Sequence, residues 1–319
     1  MKRSAANPII TRADIPNVPP RLVDVTSVFN PGAVRVGDRD MLLLRVQTRG
    51  RETVLMVAES RDGEHFSIRP REVRIRGVEA LDQTLYHIYD PRLTRIDEII
   101  YIVFAADTDQ GCRLGVARTE DFERVELVAF GGEEDTRNGV LFPERLNGRF
   151  LRLERPNRVQ LAGGVTTGTE IVLAESEDLV KWHLLGPVMA GRPHYWDELI
   201  GSGPPPIKTR EGWLHVYHGI ATHFASANIY QAGVVLLDLA NPRRVLARSR
   251  NNILEPREPY ELIGQVPNVV FPSGMIVAGY DQEGFALGDS LVRVYYGAAD
   301  TVVGLATTTI KDLLAECDH

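Results

Sequence analysis

The chain has 319 residues, 44% of them hydrophobic and 25% charged, and carries a formal net charge of −7. Those proportions belong to a soluble globular protein with a core large enough to fold unaided, and the acidic balance with scattered arginines excludes a basic field for nucleic acid. No apolar stretch follows the basic start, and no run of about 18 apolar residues occurs anywhere, which argues against a secretion signal and a membrane span. Two distant cysteines, Cys112 and Cys317, make no disulfide framework, so a reducing cytoplasm is the expected setting. No group of His, Cys or carboxylates has the spacing of zinc or calcium ligands, so no metal is expected.

In chain order the predicted elements repeat one unit five times: a residue followed by Pro, a turn-bearing hairpin, then an apolar strand ending in a polar side chain. The first copy opens at Asn30-Pro31, with strands over 33–36 and 41–46 flanking Gly37-Asp38-Arg39-Asp40, and a further strand over 54–60 with Asp62 beyond it. The second opens at Asp90-Pro91, turns at Ile96-Asp97-Glu98, and runs on through 99–104 and 114–119 to Asp121. The third opens at Phe142-Pro143 and carries Asn147-Gly148, the strongest local hairpin signal, between 144–146 and 149–153; a strand over 171–176 and Asp178 follow. The fourth begins with the prolines at 204–206, turns at Glu211-Gly212 and continues through 213–217 and 232–238. The fifth opens at Phe271-Pro272 and includes 294–300 and 303–307, and a short helix is predicted over 310–316. A repeat of roughly 50 to 65 residues made of short strands marks a propeller or a similar array. The expectation is therefore all-β: one five-bladed β-propeller domain over 1–319, with short N-terminal and C-terminal extensions.

Equivalent positions in successive blades share a radius and a height, so polar residues at matched strand ends converge on the central channel. Arg45 lies 14 residues after Pro31, Arg155 lies 12 after Pro143, His218 lies 12 after Pro206, and Asp300 ends the longer fifth copy. Asn30 and Asp90 stand at the proline end of the first two copies. Singly, each has an ordinary explanation: charged strand ends are solvated, an x-Pro carboxylate caps a turn, and a lone histidine such as His218 sits satisfied in a core. Their common register favours a site. Glycoside hydrolysis ordinarily needs two carboxyl groups about the scissile bond, yet the first copy offers Asn30 where a base would stand. Arg137, Arg155 and His218, with Tyr230 beside them, instead provide what an oxyanion such as phosphate requires. One acid and an anion pocket suggest phosphorolysis.

At these residues the chain resembles glycoside hydrolase family 130, the β-mannoside phosphorylases and β-mannosidases built on a five-bladed propeller. The resemblance runs in order through Phe29-Asn30-Pro31, Leu44-Arg45-Val46, Tyr89-Asp90-Pro91-Arg92, Val140-Leu141-Phe142-Pro143-Glu144, Leu153-Glu154-Arg155-Pro156, residues 203–208, Tyr217-His218-Gly219, Leu236-Leu237-Asp238 and Tyr296-Gly297-Ala298-Ala299-Asp300. It implies that Asp90 is the general acid, protonating the glycosidic oxygen through the mannose 3-hydroxyl. It implies that Asn30, Arg45 and Asp300 hold the mannosyl group, with Arg92 joining the substrate-binding candidates, and that Arg137, Arg155, His218 and Tyr230 bind phosphate. Attack by phosphate would invert the anomeric carbon and give α-mannose 1-phosphate, with inorganic phosphate as co-substrate and no cofactor. Where many relatives have Lys-Asp, this chain has Arg137-Asn138, which keeps the positive charge and drops the carboxylate. The implied substrate is a β-linked manno-oligosaccharide or mannosyl-glucose; linkage and acceptor are not specified, and a homo-oligomer is allowed.

Two physical expectations accompany that assignment. A relayed acid protonated near neutrality calls for a dry setting that raises the Asp90 pKa. Phosphate needs no base, so the cations act by holding it in line with the anomeric carbon. Two loops are expected to shape the acceptor side through aromatic faces at the funnel mouth: His194-Tyr195-Trp196, with Tyr195 a sugar-contact candidate, and Thr222-His223-Phe224, with His223 another. Three other readings compete. The hydrolytic branch of the family would use Glu198 as a base for water. Arabinanase-like propeller hydrolases need an aspartate base where Asn30 stands. A non-catalytic glycan-binding propeller gives Asp90 no special role.

Overall fold

The second strand of the first repeat is apolar on both faces, and a strand of that kind must be covered on both. In the computed structural model, which describes all residues except 133, 161–165, 223–226 and 318–319, Leu42, Leu44 and Val46 pack toward one neighbouring sheet and Met41 and Leu43 toward the other. The same alternation around the ring yields five apolar clusters, each wedged between two successive blades. The structure is a five-bladed β-propeller, and the core is a ring of interfaces rather than a single centre.

Blade 1 comprises Ser27–Val36, Arg39–Gln47, Thr53–Ser60 and Ser67–Val73, antiparallel in sequence order from the channel outward. Blade 2 follows the same plan with Leu85–Ile96, Ile99–Thr108, Gly111–Thr119 and Val125–Phe130, and gains a parallel outer strand, Ile75–Arg76, as the chain crosses from blade 1. Blade 3 is Thr136–Leu141, Phe150–Pro156, Glu170–Ser176 and His183–Ala190. In blade 4 the inner strand is split into Leu199–Ser202 and Ile207–Lys208 by the three prolines, which have no N–H to give the ladder; Trp213–Ala221, Ile229–Leu237 and Val245–Arg248 complete it. Blade 5 is Val270–Val277, Leu291–Ala298 and Val302–Thr309, and its outer strand is Lys2–Arg3, which pairs with Thr307 and Ala306. The N-terminal stretch, expected as an extension, thus closes the ring, and Ile310–Ala315 forms the anticipated helix after it.

Strand pairing corrects the phasing of one repeat. The inner strands of blades 1, 2 and 3 each carry a bulge, between Phe29 and Gly32, Tyr89 and Arg92, and Arg137 and Val140. The bulged residues are Asn30-Pro31, Asp90-Pro91 and Asn138-Gly139. The third repeat therefore begins four residues before Phe142-Pro143, and its hairpin is a long one in which Asn147-Gly148 closes only the isolated Leu146–Arg149 bridge. Blade 5 bulges between Pro272 and Gly274. In all four, the extra residue bends the inner strand where it meets the channel.

The carboxylates that follow the third strands serve structure. Asp62, Asp121 and Asp178 each accept backbone N–H groups within their own turns, from Glu64 and His65, from Glu123, and from Val180 and Lys181. Such Asx turns end strands without any further role.

Candidate active site

The bulges aim three side chains into the channel. Asn30, Asp90 and Asn138 have φ of 46°, 51° and 53°, a left-handed backbone that Asn and Asp tolerate better than other side chains. Directly opposite the residue before each bulge, the second strands present Arg45 in blade 1 and Arg155 in blade 3; His218 in blade 4 faces Gly201. Blade 5 has Gly297 at this level, opposite Phe271, because a Cβ there would fall 1.8 Å from Asn30 Oδ1. Gly201 makes similar room for His218 and Asn138.

These groups surround a cavity of about 390 Å³. Its lining includes Asn30, Arg45, Asp90, Arg137, Arg155, His218, Tyr230 and Asp300, so eight of the residues expected from the sequence are brought together. The lining also includes Gln47, Arg51, Thr53, His87, Tyr89, Asp107, Asn138 and Phe271, which sequence reasoning did not assign to a site. Asp107 and Thr53 are strand-end residues with no repeated partner to flag them. Asn138 carried a readable signal, an Asx residue followed by Gly where blades 1 and 2 have Asx followed by Pro.

Two expected contacts are not there. Arg92 does not line the cavity but lies beneath it, 1% exposed, donating from Nε to the Gly203 carbonyl at 2.9 Å and from Nη1 to the Asp90 carbonyl at 3.3 Å. Its place in the inner strand after the bulge turns it away from the channel mouth and over Phe271, 5.2 Å from the ring centroid. Tyr195 is also outside the lining, held against Arg192, whose guanidinium sits 4.4 Å from its ring centroid. That loop is anchored from within by buried Asp197, which receives Arg192 at 2.8 and 2.7 Å, Arg248 at 2.6 Å and Tyr217 at 2.8 Å. His223 lies outside the described residues. Glu198, the candidate base, accepts from the Thr222 hydroxyl and does not line the cavity.

On the acid side, Asp90 Oδ1 accepts from Asn30 Nδ2 at 2.9 Å and from Arg45 Nη1 at 2.8 Å. The Arg45 guanidinium is itself fixed between the rings of Phe29 and Tyr89, at 4.4 and 4.8 Å. Burial pushes the Asp90 carboxyl up, but Arg45, Arg92 and the two hydrogen bonds outweigh it, so its pKa is lowered below the ordinary value. The expectation of a raised Asp90 pKa is not met in the ligand-free site, because the arginines that orient the carboxylate also stabilise its charge.

The raised carboxyl is Asp300. Burial lifts it to about 6, opposed by Arg45 and assisted by Asp90. The folded protein therefore holds a proton between about pH 4 and 6 that the unfolded chain has released, and the stability linked to it is lost as pH rises through that window. Asp300→Asn should match the parent protein near pH 4 and exceed it near pH 8 by at most about 3 kcal/mol, at about 1.4 kcal/mol per pKa unit. Denaturant unfolding at both pH values tests this, and an equal difference at the two would refute it.

On the anion side, the Nε atoms of Arg137 and Arg155 and both ring nitrogens of His218 have no hydrogen-bond partner among the described residues. Arg155 is 6% exposed, with Nη2 donating to Asn157 at 3.1 Å. Burial and repulsion by Arg137 pull its pKa down to about 10. Burial, then Arg155 and Arg92, hold the His218 pKa well below the ordinary value, so the ring is neutral. Phe271, 4.5 Å away, and Tyr230, 6.2 Å away, pack against that ring. Arg137 stays 3.6 Å from Asp107, which also accepts from the Tyr89 hydroxyl at 2.7 Å. Buried donors without partners are costly, and a bound anion would satisfy them. No group of three or more His, Cys, Asp or Glu able to hold a metal ion occurs among the described residues.

A family model described as beta-1,4-mannooligosaccharide phosphorylase matches residues 1–319. A 1,2-β-oligomannan phosphorylase of Thermoanaerobacter sp. (strain X514) is 34% identical over 263 residues, covering 80% of this chain and 78% of that protein. A β-1,4-mannooligosaccharide phosphorylase of Ruminococcus albus is 31% identical over 324 residues, covering 98% and 89%. The structure of the β-1,2-mannobiose phosphorylase of Listeria innocua with β-1,2-mannobiose superposes with a TM-score of 0.83 at 27% identity, over 99% of both chains.

Proposed function

Because the chain belongs to glycoside hydrolase family 130, we propose that it is a phosphorylase that cleaves a β-mannoside with inorganic phosphate, inverting the anomeric carbon to give α-mannose 1-phosphate. The observation that carries this reading is the set of unpartnered donors on Arg137, Arg155 and His218, across the cavity from a single well-held carboxylate, Asp90. Four arginines and three aspartates line the space, and burial keeps one of those aspartates, Asp300, protonated at mildly acidic pH. An anionic co-substrate suits that balance.

In this reading Asn30, Arg45 and Asp300 hold the mannosyl group, and Arg137, Arg155, His218 and Tyr230 hold phosphate behind the anomeric carbon. A phosphate oxygen forms the new bond to that carbon as the glycosidic bond breaks. The departing oxygen takes a proton from the mannose 3-hydroxyl, which takes one from Asp90, leaving the carboxylate ionised against Arg45 and Asn30. Asp90 must therefore be protonated in the loaded site. The arriving anion and the exclusion of water both oppose its charge, which is how binding supplies the upward shift that the ligand-free site lacks. Arg92 acts from below, fixing the backbone at Asp90 and Gly203.

No helix among the described residues is long and apolar enough to cross a membrane, and the reading places the enzyme in the cytoplasm, where phosphate is at hand. It requires no metal or organic cofactor. The hydrolytic alternative loses its base with Glu198 outside the cavity. The test is release of mannose 1-phosphate from a panel of β-mannosides with and without phosphate. Phosphate-dependent sugar phosphate supports the proposal, while free mannose formed without phosphate overturns it.

A further inference from the structure

Blade 2 breaks the charge pattern of the anion side. Ala105 stands opposite Tyr89 as Arg45 stands opposite Phe29 and Arg155 opposite Arg137, so the three second strands reach the channel in one register. Two residues further along each strand, on the same face, blades 1 and 3 carry neutral amides, Gln47 and Asn157, whereas blade 2 carries Asp107. Asp107 lines the cavity together with Arg137, Arg155 and His218. Its Oδ1 accepts from the Tyr89 hydroxyl at 2.7 Å and lies 3.6 Å from Arg137 Nη2, while Oδ2 takes no hydrogen bond among the described residues. A carboxylate thus stands beside a cation whose own Nε is buried without a partner.

We infer that Asp107 selects the anion, accepting a hydrogen bond from the O–H of a protonated tetrahedral oxyanion such as hydrogenphosphate and turning away a fully ionised one such as sulfate. The inference rests on the phosphorylase reading and adds to it the anion specificity of the same site. Asp107 is on this view a specificity-determining residue, and the carboxylate is there for the proton that the anion brings.

Cations alone do not discriminate. Arg137 and Arg155 offer N–H groups to any tetrahedral oxyanion, and sulfate matches phosphate closely in size and shape. The two differ in that phosphate keeps at least one O–H at neutral pH and sulfate keeps none. An ionised carboxylate accepts hydrogen bonds and donates none, so it gains a charge-assisted bond to the phosphate hydroxyl. Against sulfate it sets oxygen against oxygen, and like charges brought together exclude a wrong partner. A site built to bond a hydroxyl rejects the analogue that lacks it. The orientation is fixed from the acid side: Tyr89 holds Oδ1, and the Arg45 guanidinium lies 4.8 Å from the Tyr89 ring centroid. A carboxylate that served only to balance Arg137 would treat both anions alike, which gives the test its readout.

The experiment measures cleavage of a β-mannoside by the full chain with phosphate or arsenate, and its inhibition by sulfate. In the parent enzyme both protonated anions should support cleavage, and the Ki for sulfate should exceed the KM for phosphate by at least about 10-fold. Asp107→Asn keeps an oxygen to accept from Tyr89, supplies an N–H that sulfate can use, and gives blade 2 the amide found in blade 3. In that variant the ratio of sulfate Ki to phosphate KM should fall by about 10- to 150-fold, the value of a hydrogen bond to a charged group. Melting temperature reads the same comparison without turnover: sulfate should stabilise the variant at concentrations that leave the parent unchanged. A parent that takes sulfate as well as phosphate, or a variant whose ratio and sulfate response match the parent's, would overturn the inference while leaving the phosphorylase reading standing. Absence of phosphate-dependent cleavage by the parent would overturn both.

Discussion

Replacing Asp90 with Asn should lower kcat on unactivated β-mannosides by about 10²- to 10⁴-fold, the range for loss of a positioned general acid. The amide can still accept from Arg45 through its oxygen, so the geometry at Asn30 and Arg45 is largely kept and the missing feature is the proton. A mannoside with a good leaving group does not need that proton, and its cleavage should fall far less. Stability should fall too, because Arg45 and Arg92 lose the carboxylate that balances them, and stripping one partner from a buried ion pair costs several kcal/mol. Calorimetry alongside the kinetics separates the two effects. Equal losses on activated and unactivated substrates would mean that Asp90 holds the sugar rather than donating to it.

The second large effect is expected at Arg155, where function and stability should move in opposite directions. In the phosphate-free protein this cation is buried, repelled by Arg137 and left with its Nε unpartnered. Arg155→Met removes a charge whose burial and repulsion cost about 3 kcal/mol, at about 1.4 kcal/mol per pKa unit, while orphaning the Asn157 acceptor costs about 1–3 kcal/mol, so the ligand-free variant should be more stable by about 1 kcal/mol. The same change should raise KM for phosphate by about 10- to 150-fold, the value of a hydrogen bond to a charged group, while KM for the mannoside changes little. Added phosphate should stabilise the parent protein by mass action and leave the variant's melting temperature flat. A variant with unchanged phosphate KM and a raised mannoside KM would move the anion site elsewhere.

Much of this site was legible because a propeller repeats its geometry. Arg45, Arg155 and His218 lie at equivalent ends of second strands, so a count from the preceding strand puts them in one tier even when the start of the repeat is misplaced. The misplacement in blade 3 has a definite origin. Proline marks the bulge in blades 1 and 2, but Gly139 does that work in blade 3, while Phe142-Pro143 and Asn147-Gly148 downstream imitate the missing signals. The property common to Asn30, Asp90 and Asn138 is a left-handed backbone at an Asx residue. Arg92 and Tyr195 illustrate another limit: a residue within two positions of a functional one, or on an aromatic loop, points where strand pleat and local packing send it. The Asp90 pKa was beyond reach of the sequence, since its direction depends on whether two arginines from different strands outweigh burial.

The last blade is assembled from the two ends of the chain, with Lys2–Arg3 as the outer strand beside Val302–Thr309. Arg3 reinforces that seam by reaching buried Glu261 at 2.8 Å, and Glu261 also accepts from the Tyr296 hydroxyl at 2.8 Å. During synthesis Lys2–Arg3 must therefore wait, unpaired, until Val302–Thr309 is made, and contacts this distant in sequence close slowly. The interface between blades 5 and 1 cannot be completed before those strands exist, and both Asn30 and Asp300 flank it. Assembly of the acid side of the cavity is thus coupled to joining the ends, and a partly made chain cannot begin cleaving sugars before its ring is shut.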